Sequence, residues 1–484
     1  IYKLIGFACV SALSVFGAEQ NIATSNSKPN IVILYADDLG YGEIQALNPE
    51  RGKIPTPHIN ALAEEGMVFT DAHTASSVCT PSRYALLTGR YAWRTHLQVG
   101  VSNGGADPLI AEGRLTLATM LKEAGYNAAI SGKWHLDFNY DGERCTVGTT
   151  IPDGPITRGF DTWFGFHHAR EMRELCKDDK VIEVISPKDM LPRTTDFAVE
   201  YINQKAEAAK NGKPFFLYMA FGSPHVPHLP TDDWVGKSGL GKYGDFVMMT
   251  DGMAGKIINA IDANGLTDNT IILFTSDNGT SKAANFEDLN QKGHYPSADF
   301  RGCKTDIWEG AHRVPFIIRW PDGAVKAGST CNALVGLSDM SATLAELVGY
   351  ALPDNAAEDS ISFLSALSGK PVAHPRDDII HHSGAGRFSI RRGKWKLILA
   401  PGSGGLTAPD YKTSWQQGLP EIQLYDLEQD VAEENNLQAR YPEITAELVA
   451  LLQQQVNDGR STLGSPQAND TKRIDIWKRP SIKK

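Results

Sequence analysis

The chain alternates between two rhythms of apolar and polar positions. Four apolar runs stand out: Asn30 to Ala36, Asn127 to Ser131, Phe215 to Phe221 and Thr270 to Ser276. Short runs rich in Ile, Val, Leu and Phe predict strands buried on both faces. Each run delivers polar groups at its C-terminal end. Asp37-Asp38-Leu39-Gly40 follows the first, Gly132-Lys133-Trp134-His135 the second, Ser223-Pro224-His225 the third and Asp277-Asn278-Gly279 the fourth. Between them apolar residues recur at helical spacing, as in Val247, Thr250, Ala254, Ile257, Ile258 and Ile261, which puts one apolar face on a sheet. This order predicts an α/β fold: a large mixed, mostly parallel sheet covered by helices on both faces. Ligands of such sheets bind outside the carboxyl ends of the strands, so the four polar clusters are expected to converge on one site.

Past about residue 385 the rhythm shortens. Phe388 to Arg392 turns through Gly393-Lys394 into Trp395 to Leu399, Ile422 to Leu427 is a further strand, and Pro442 opens a helix with Ile444, Leu448, Leu451 and Leu452 on one side. Residues 28–385 are therefore expected to form the main α/β domain, and residues 386–484 a smaller C-terminal α+β subdomain with a short antiparallel sheet. At the other end Lys3, the apolar run Leu4 to Phe16 and Gly17-Ala18-Glu19 have the layout of a secretory signal peptide over residues 1–18. That predicts a secreted or periplasmic protein. The run is short for a membrane span, and a lipoprotein anchor through Cys9 is the alternative.

Composition narrows the partners. Charged residues are 21% and hydrophobic ones 42%, as in ordinary globular chains, and the formal net charge is -10. That balance argues against nucleic acid, whose phosphates require clustered Lys and Arg. An anionic ligand would need a local basic pocket. Without Cys9, five cysteines remain: Cys79, Cys145, Cys176, Cys303 and Cys331. In an oxidising compartment an odd number leaves one thiol free, intermolecular or modified. Cys145 with Cys176 and Cys303 with Cys331 are candidate local bridges, which would leave Cys79; the alternative is no bridge at all.

Cys79-Thr80-Pro81-Ser82-Arg83 precedes Tyr84 to Thr88 and then Gly89-Arg90. Proline near the first turn and glycine after the last predict a short helix, whose N-terminal N–H groups would welcome negative charge at Cys79 beside Arg83. Cys-x-Pro-Ser-Arg followed by Leu-Thr-Gly-Arg resembles the signature of the type I, formylglycine-dependent sulfatases, relatives of alkaline phosphatase. The resemblance runs from Asn30 through Pro321 and more faintly into Leu424 to Leu427. It implies an alkaline-phosphatase-like fold and a sulfuric ester hydrolase. It also implies that a formylglycine-generating or anaerobic sulfatase-maturating enzyme converts Cys79 to formylglycine (3-oxoalanine). The hydrated aldehyde offers two hydroxyls, one to take sulfate and a second whose deprotonation releases it.

Asp37, Asp38, Asp277 and Asn278 offer only oxygen ligands, which suits Ca²⁺ better than zinc, with magnesium as runner-up. By resemblance these residues and the oxidised Cys79 hold one Ca²⁺ per chain. The resemblance further assigns Arg83 beside the nucleophile, Lys133 and Lys304 as clamps on sulfate, His135 as base and His225 as acid on the leaving oxygen. Arg90 would support the nucleophile loop. Sulfatases of this type suggest a sulfated polysaccharide or oligosaccharide as substrate. His168, Arg170, His228, His381 and Arg387 are candidate sugar subsites, with Asp107, His167 and His382 in similar polar stretches. Competing readings are a phosphoester or phosphonate hydrolase of the same superfamily and an unmatured, non-catalytic sulfoglycan-binding protein.

Overall fold

A computed structural model describes residues 28–372 and 374–479, so the expected signal peptide lies outside the described residues. The main sheet has ten strands. Their order is Ser329–Cys331, Met67–Phe69, Phe316–Arg319, Thr270–Ser276, Asn30–Ala36, Phe215–Ala220, Asn127–Lys133, Thr162–Phe166, Glu174–Lys177 and Lys180–Val184. The five from Thr270–Ser276 to Thr162–Phe166 run parallel, and antiparallel strands flank them on both sides. The four runs singled out in the sequence are adjacent members of that parallel block.

The central strand shows why both faces are covered. Ile31, Ile33 and Tyr35 join one apolar cluster, while Val32, Leu34 and Ala36 join the other. Successive strand residues point to opposite faces, so a run without polar alternation needs helices on each side. The Pro57–Glu65, Pro187–Lys210 and Gly241–Ala263 helices cover one face. Cys79–Thr88, Leu117–Glu123 and Met340–Val348 cover the other. Among the described residues no helix is long and apolar enough to cross a membrane.

The C-terminal antiparallel sheet has four strands, Asp378–His382, Phe388–Arg392, Trp395–Ile398 and Gln423–Asp426. The boundary expected between residues 385 and 386 falls in the loop joining its first two strands. Its apolar face packs on Leu448, Leu452 and Val456 of the Pro442–Asn457 helix, and on Ala85, Tyr91 and Trp93 around the Cys79 helix. Neither candidate disulfide is present. Cys176 is a buried thiol in the Glu174–Lys177 strand, and Cys303 is a buried thiol in a loop beside Thr407, away from the outermost strand that carries Cys331.

A buried polar network joins the two sheets. His312 Nε2 accepts from the Lys396 ammonium at 3.0 Å, and the same ammonium lies 3.0 Å from Glu309 and 2.9 Å from Glu433. The other His312 nitrogen, Nδ1, lies 3.1 Å from His73 Nδ1, and His73 Nε2 lies 2.9 Å from Asp71. One proton order satisfies the three short contacts from Lys396 to Asp71: His312 Nδ1–H donates to His73, and His73 Nε2–H donates to Asp71. Arg391 closes the far end with two bonds to Asp71. His381 stacks on His312 with centroids 3.7 Å apart, fully buried. This corrects its assignment to a sugar subsite, because the Asp378–His382 strand turns it inward. His382 is likewise buried, against Phe388.

Burial holds His73, His312 and His381 below the usual imidazole range. The unfolded chain therefore takes up these protons first, near pH 6.5, and stability present above that pH is lost as pH falls toward the folded values. Each histidine adds a slope of up to about 1.4 kcal/mol per pH unit. His381→Phe keeps an aromatic ring on His312 and removes one titrating group. Urea unfolding of the variant between about pH 6.5 and pH 5 should show a slope shallower by roughly that amount; an unchanged slope would refute the burial argument.

Candidate active site

Four strand ends meet at one edge of the sheet. Asn30–Ala36 is in register with Thr270–Ser276 from Asn30↔Thr270 to Ala36↔Ser276, which sets Asp37 beside Asp277. Asp277 N–H donates to Ala36 C=O at 3.1 Å, and Asp37 N–H donates to Ser223 C=O at 3.0 Å, tying in the loop that carries His225. Asp38 and His135 both have left-handed backbone, with φ of 64° and 57°. Such conformations disfavour side-chain-bearing residues and persist where surrounding contacts hold them. Gly132, φ 102°, lets the strands close up before Lys133: a Cβ there would lie 2.0 Å from Ala220 O.

Three carboxylates and three cations interlock at this edge. Arg83, fully buried, donates twice to Asp277 Oδ2, at 2.8 and 3.2 Å, and lies 3.7 Å from Asp37. The Lys133 ammonium lies 2.5 Å from Asp37 Oδ2, and the Lys304 ammonium 2.6 Å from Asp38 Oδ1. Asp38 N–H donates to Asp277 Oδ1 at 3.0 Å, and Asn278 Nδ2 donates to Asp38 Oδ1 at 2.8 Å. Burial, then the neighbouring Asp37, raises the Asp277 carboxyl to about 7. Against the same burial, Lys133 leads the contacts that hold Asp37 well below the carboxylate range. Arg83 thus grips the carboxylates beneath the pocket and does not line it.

Two oxygens in this set, Asp37 Oδ1 and Asn278 Oδ1, are buried without a hydrogen-bond partner. Ligand atoms of Asp37, Asp38, Cys79 and His225 lie within 4.8 Å of one another. The oxygens of Asp37, Asp38, Asp277 and Asn278, two of them orphaned, fit a hard cation beside Cys79.

Cys79 opens the predicted helix, observed as Cys79–Thr88 with Gly89 left-handed at its end, φ 65°. At the far end of that helix Arg90 pairs with Asp470 and Tyr84 Oη. Burial pushes the Cys79 thiol up to about 11 against the pull of Lys133 and Lys304. At neutral pH it is a thiol and a poor nucleophile.

The histidines expected as base and acid both reach this cavity. His135 Nε2–H donates to Ser102 C=O at 3.0 Å, so Nδ1 carries the lone pair, buried and without a partner. His225 spends Nδ1–H on Val226 C=O at 2.5 Å, leaving Nε2 3.7 Å from Asp38. Burial lowers both below the usual imidazole value.

A cavity of about 290 Å³ opens above Cys79, with Lys133, His135, His168, Arg170, His225 and Lys304 on its walls. Of the expected subsite residues it includes His168 and Arg170. His228 packs on Tyr243 outside it, Arg387 is buried behind the loop at Gly384 and Ala385, and Asp107 accepts from Asn139 elsewhere. His167 sits behind, edge-on to Phe138. Sequence reasoning missed Val99, Leu406 and Tyr411, loop residues that carry no periodic or motif signal. No carboxylate lines this cavity among the described residues.

The family model named Sulfatase matches residues 29–350. The N-acetylgalactosamine-6-O-sulfatase of Bacteroides thetaiotaomicron is 35% identical over 500 residues, covering 90% of this chain and 96% of that protein. Human arylsulfatase A is 30% identical over 463 residues, covering 88% and 86%. A solved 6S-sulf structure, from a Bacteroides thetaiotaomicron locus for metabolism of multiple glycosaminoglycans, superposes with a TM-score of 0.78 at 32% identity, covering 89% of this chain and 99% of that one. A likeness of this extent, over a chain whose fold brings Lys133, His135, His225 and Lys304 around Cys79, makes the protein a member of the sulfatase family, the sulfuric ester hydrolases.

Proposed function

We propose that the chain removes sulfate from a sulfated carbohydrate, with Cys79 matured to formylglycine and one Ca²⁺ held by Asp37, Asp38, Asp277, Asn278 and the matured side chain. The observation that carries this reading is the cavity itself: six basic or imidazole side chains around Cys79 and no lining carboxylate, in a chain of net charge -10. Its volume, about 290 Å³, suits one sugar ring with its sulfate. A sulfated sugar is favoured by the name of the N-acetylgalactosamine-6-O-sulfatase relative. It is also favoured by the solved complex of Ps i-CgsB with k-i-k-neocarrahexaose, 25% identical with a TM-score of 0.71 and covering 91% of this chain and 95% of that one. A sulfated amino sugar is the first substrate to try. The apolar run at residues 4–16 favours an exported enzyme, and maturation of Cys79 calls for a formylglycine-generating or anaerobic sulfatase-maturating partner.

Each side chain then has a task. Lys133 and Lys304 turn from their carboxylates to grip nonbridging sulfate oxygens and place positive charge where negative charge develops. His225 Nε2 faces the leaving alkoxide and supplies its proton. His135 Nδ1, its lone pair already bare, removes the proton whose loss releases sulfate. A bound ester adds negative charge between the two imidazoles and raises their proton affinity from the depressed values of the empty pocket. Arg83 holds Asp277 and Asp37 in place beneath. A hard divalent cation supplies fixed positive charge at the pocket floor. Formylglycine supplies, as its hydrate, a nucleophilic oxygen and a second hydroxyl for release.

Turnover of 4-nitrophenyl sulfate by matured protein tests these roles. Lys304→Ala should cost on the order of 10²-fold, the effect of removing one preorganised donor; a loss below about tenfold in a folded variant rejects the clamp. Cys79→Ser should give no sustained turnover, and steady activity in it would sink the release step. Hydrolysis of 4-nitrophenyl phosphate in preference to the sulfate would move the chain to the phosphoester reading.

Metal removal gives a readout separate from activity. Stripping with EGTA should lower the melting temperature as well as stop turnover, because a folded-state ligand is lost, and Ca²⁺ should restore both. Recovery with Mg²⁺ alone would name magnesium, and no change in melting temperature would leave the oxygens without the proposed cation.

A further inference from the structure

The imidazole assigned as base needs more than burial to do its work. His135 is 4% exposed, yet burial fixes neither the nitrogen that carries its proton nor the way its ring is turned. A half-turn about χ2 exchanges Nδ1 with a ring carbon, and a change of tautomer takes the lone pair off Nδ1. The carbonyl of Ser102 prevents both. A carbonyl oxygen can only accept, so the Nε2 that lies 3.0 Å from it carries the proton, and Nδ1 keeps the lone pair.

Ser102 is itself held by a hydroxyl. Its N–H donates to Thr80 Oγ1 at 3.0 Å, a bond between buried groups 22 residues apart. Thr80 is fully buried and follows Cys79 directly in the first turn of the Cys79–Thr88 helix. Thr88, at the other end of that helix, turns its hydroxyl back on Tyr84 C=O at 2.7 Å, the usual bond of a helical threonine. Thr80 instead accepts from outside the helix. One residue, Ser102, thus takes the base on its C=O and is tied by its N–H to the helix that begins at position 79.

The segment around Ser102 has no regular secondary structure to set its course, although Val99 to Asn103 form one wall of the cavity. Backbone N–H groups pin it at three points. Gly100 donates to Gly384 C=O at 3.0 Å, Ser102 to Thr80, and Gly104 to Asp137 Oδ1 at 3.2 Å. The outer two bonds lead to the C-terminal sheet and to the loop after the Lys133 strand. The middle one leads to the nucleophile helix, and it belongs to the residue whose carbonyl holds His135.

We infer that Thr80 is a positioning residue for the reaction: through Ser102 its hydroxyl locks the His135 ring with Nε2–H on the carbonyl and the lone pair on Nδ1. The inference rests on His135 serving as the base, as proposed above. When Nδ1 takes its proton, Nε2–H stays on the Ser102 carbonyl, which favours the imidazolium so formed. Without the Thr80 hydroxyl the Ser102 N–H is buried and unpaired, and the wall segment moves to satisfy it.

Three substitutions separate this role from a structural one. Thr80→Val keeps the branched shape and removes the acceptor, Thr80→Ser keeps the acceptor, and Thr80→Ala stands in for the valine variant if that one does not fold. Because Thr80 adjoins Cys79, the formylglycine content of each variant is read by mass spectrometry and rates are expressed per matured site. With 4-nitrophenyl sulfate, Thr80→Val should lower kcat on the order of 10- to 100-fold, as a misplaced catalytic group does, with KM within about twofold. Thr80→Ser should recover most of that loss.

A second readout uses the full, unmatured chain with ¹⁵N-labelled histidine, the His135 signals being those absent from His135→Gln. The unsubstituted protein should show a protonated Nε2 that exchanges slowly with water, and a bare Nδ1. Thr80→Val should lose that Nε2–H signal to exchange or to mixed tautomers, and Thr80→Ser should keep it. An Nε2–H signal unchanged in Thr80→Val overturns the inference whatever happens to kcat, and so does an undiminished kcat in the matured variant. Turnover by matured His135→Gln equal to that of the unsubstituted protein would count against His135 as base, while the ¹⁵N comparison would still decide whether Thr80 holds the ring.

Discussion

Everything at this active edge depends on burying ionised groups that no water can reach. Asp37, Asp277, Arg83 and Lys133 have fully buried side chains. Desolvating one charge costs several kcal/mol, and removing a single partner from a buried set is far worse than never having built it. The four therefore exist only as a unit with Asp38 and Lys304. That unit demands strand register, because the pairing of Ala36 with Ser276 is what puts Asp37 and Asp277 side by side. A slip of one residue would turn each strand's side chains to the opposite face and strand the carboxylates in the apolar layers.

A second set of buried charges does for the subdomain what the first does for the strands. Lys396, Glu309 and Glu433 meet at 0% side-chain exposure, and Glu309 begins the short Glu309–His312 helix that follows the Lys304 loop. The C-terminal sheet thereby holds the segment that brings Lys304 to Asp38, while its apolar face packs against the Cys79 helix region. The subdomain reaches the cavity directly as well, through Leu406 and Tyr411.

Much of this was legible from the chain alone, for a physical reason. Strands buried on both faces must be apolar throughout, so Asn30–Ala36 and Thr270–Ser276 were readable to the residue, and the polar groups after them could only lie at the sheet edge. The Cys79 helix was readable from Pro81 and Gly89, whose backbone constraints are local. His381 was misread because a polar residue on a short strand carries no mark of which face it takes; its ring partners His312 and His73 are remote in sequence. Arg387 failed as a cavity-lining residue for the same reason, since its burial is decided by Lys478 and Trp415 on other segments. Val99, Leu406 and Tyr411 lie in loops whose course is set by tertiary packing and not by periodicity.

The charge count at the pocket floor carries one further step. Three acids face three cations there, and both lysines are held down on carboxylates, so part of their charge is already spent. Anion binding therefore needs something to displace the lysines from Asp37 and Asp38. A divalent cation taking those carboxylates would free both ammoniums to turn into the cavity and would tip the floor toward positive charge in the same event. On the proposed function, metal binding and sulfate binding would thus be coupled through Lys133 and Lys304, with the orphaned oxygens of Asp37 and Asn278 among the groups that would hold the cation.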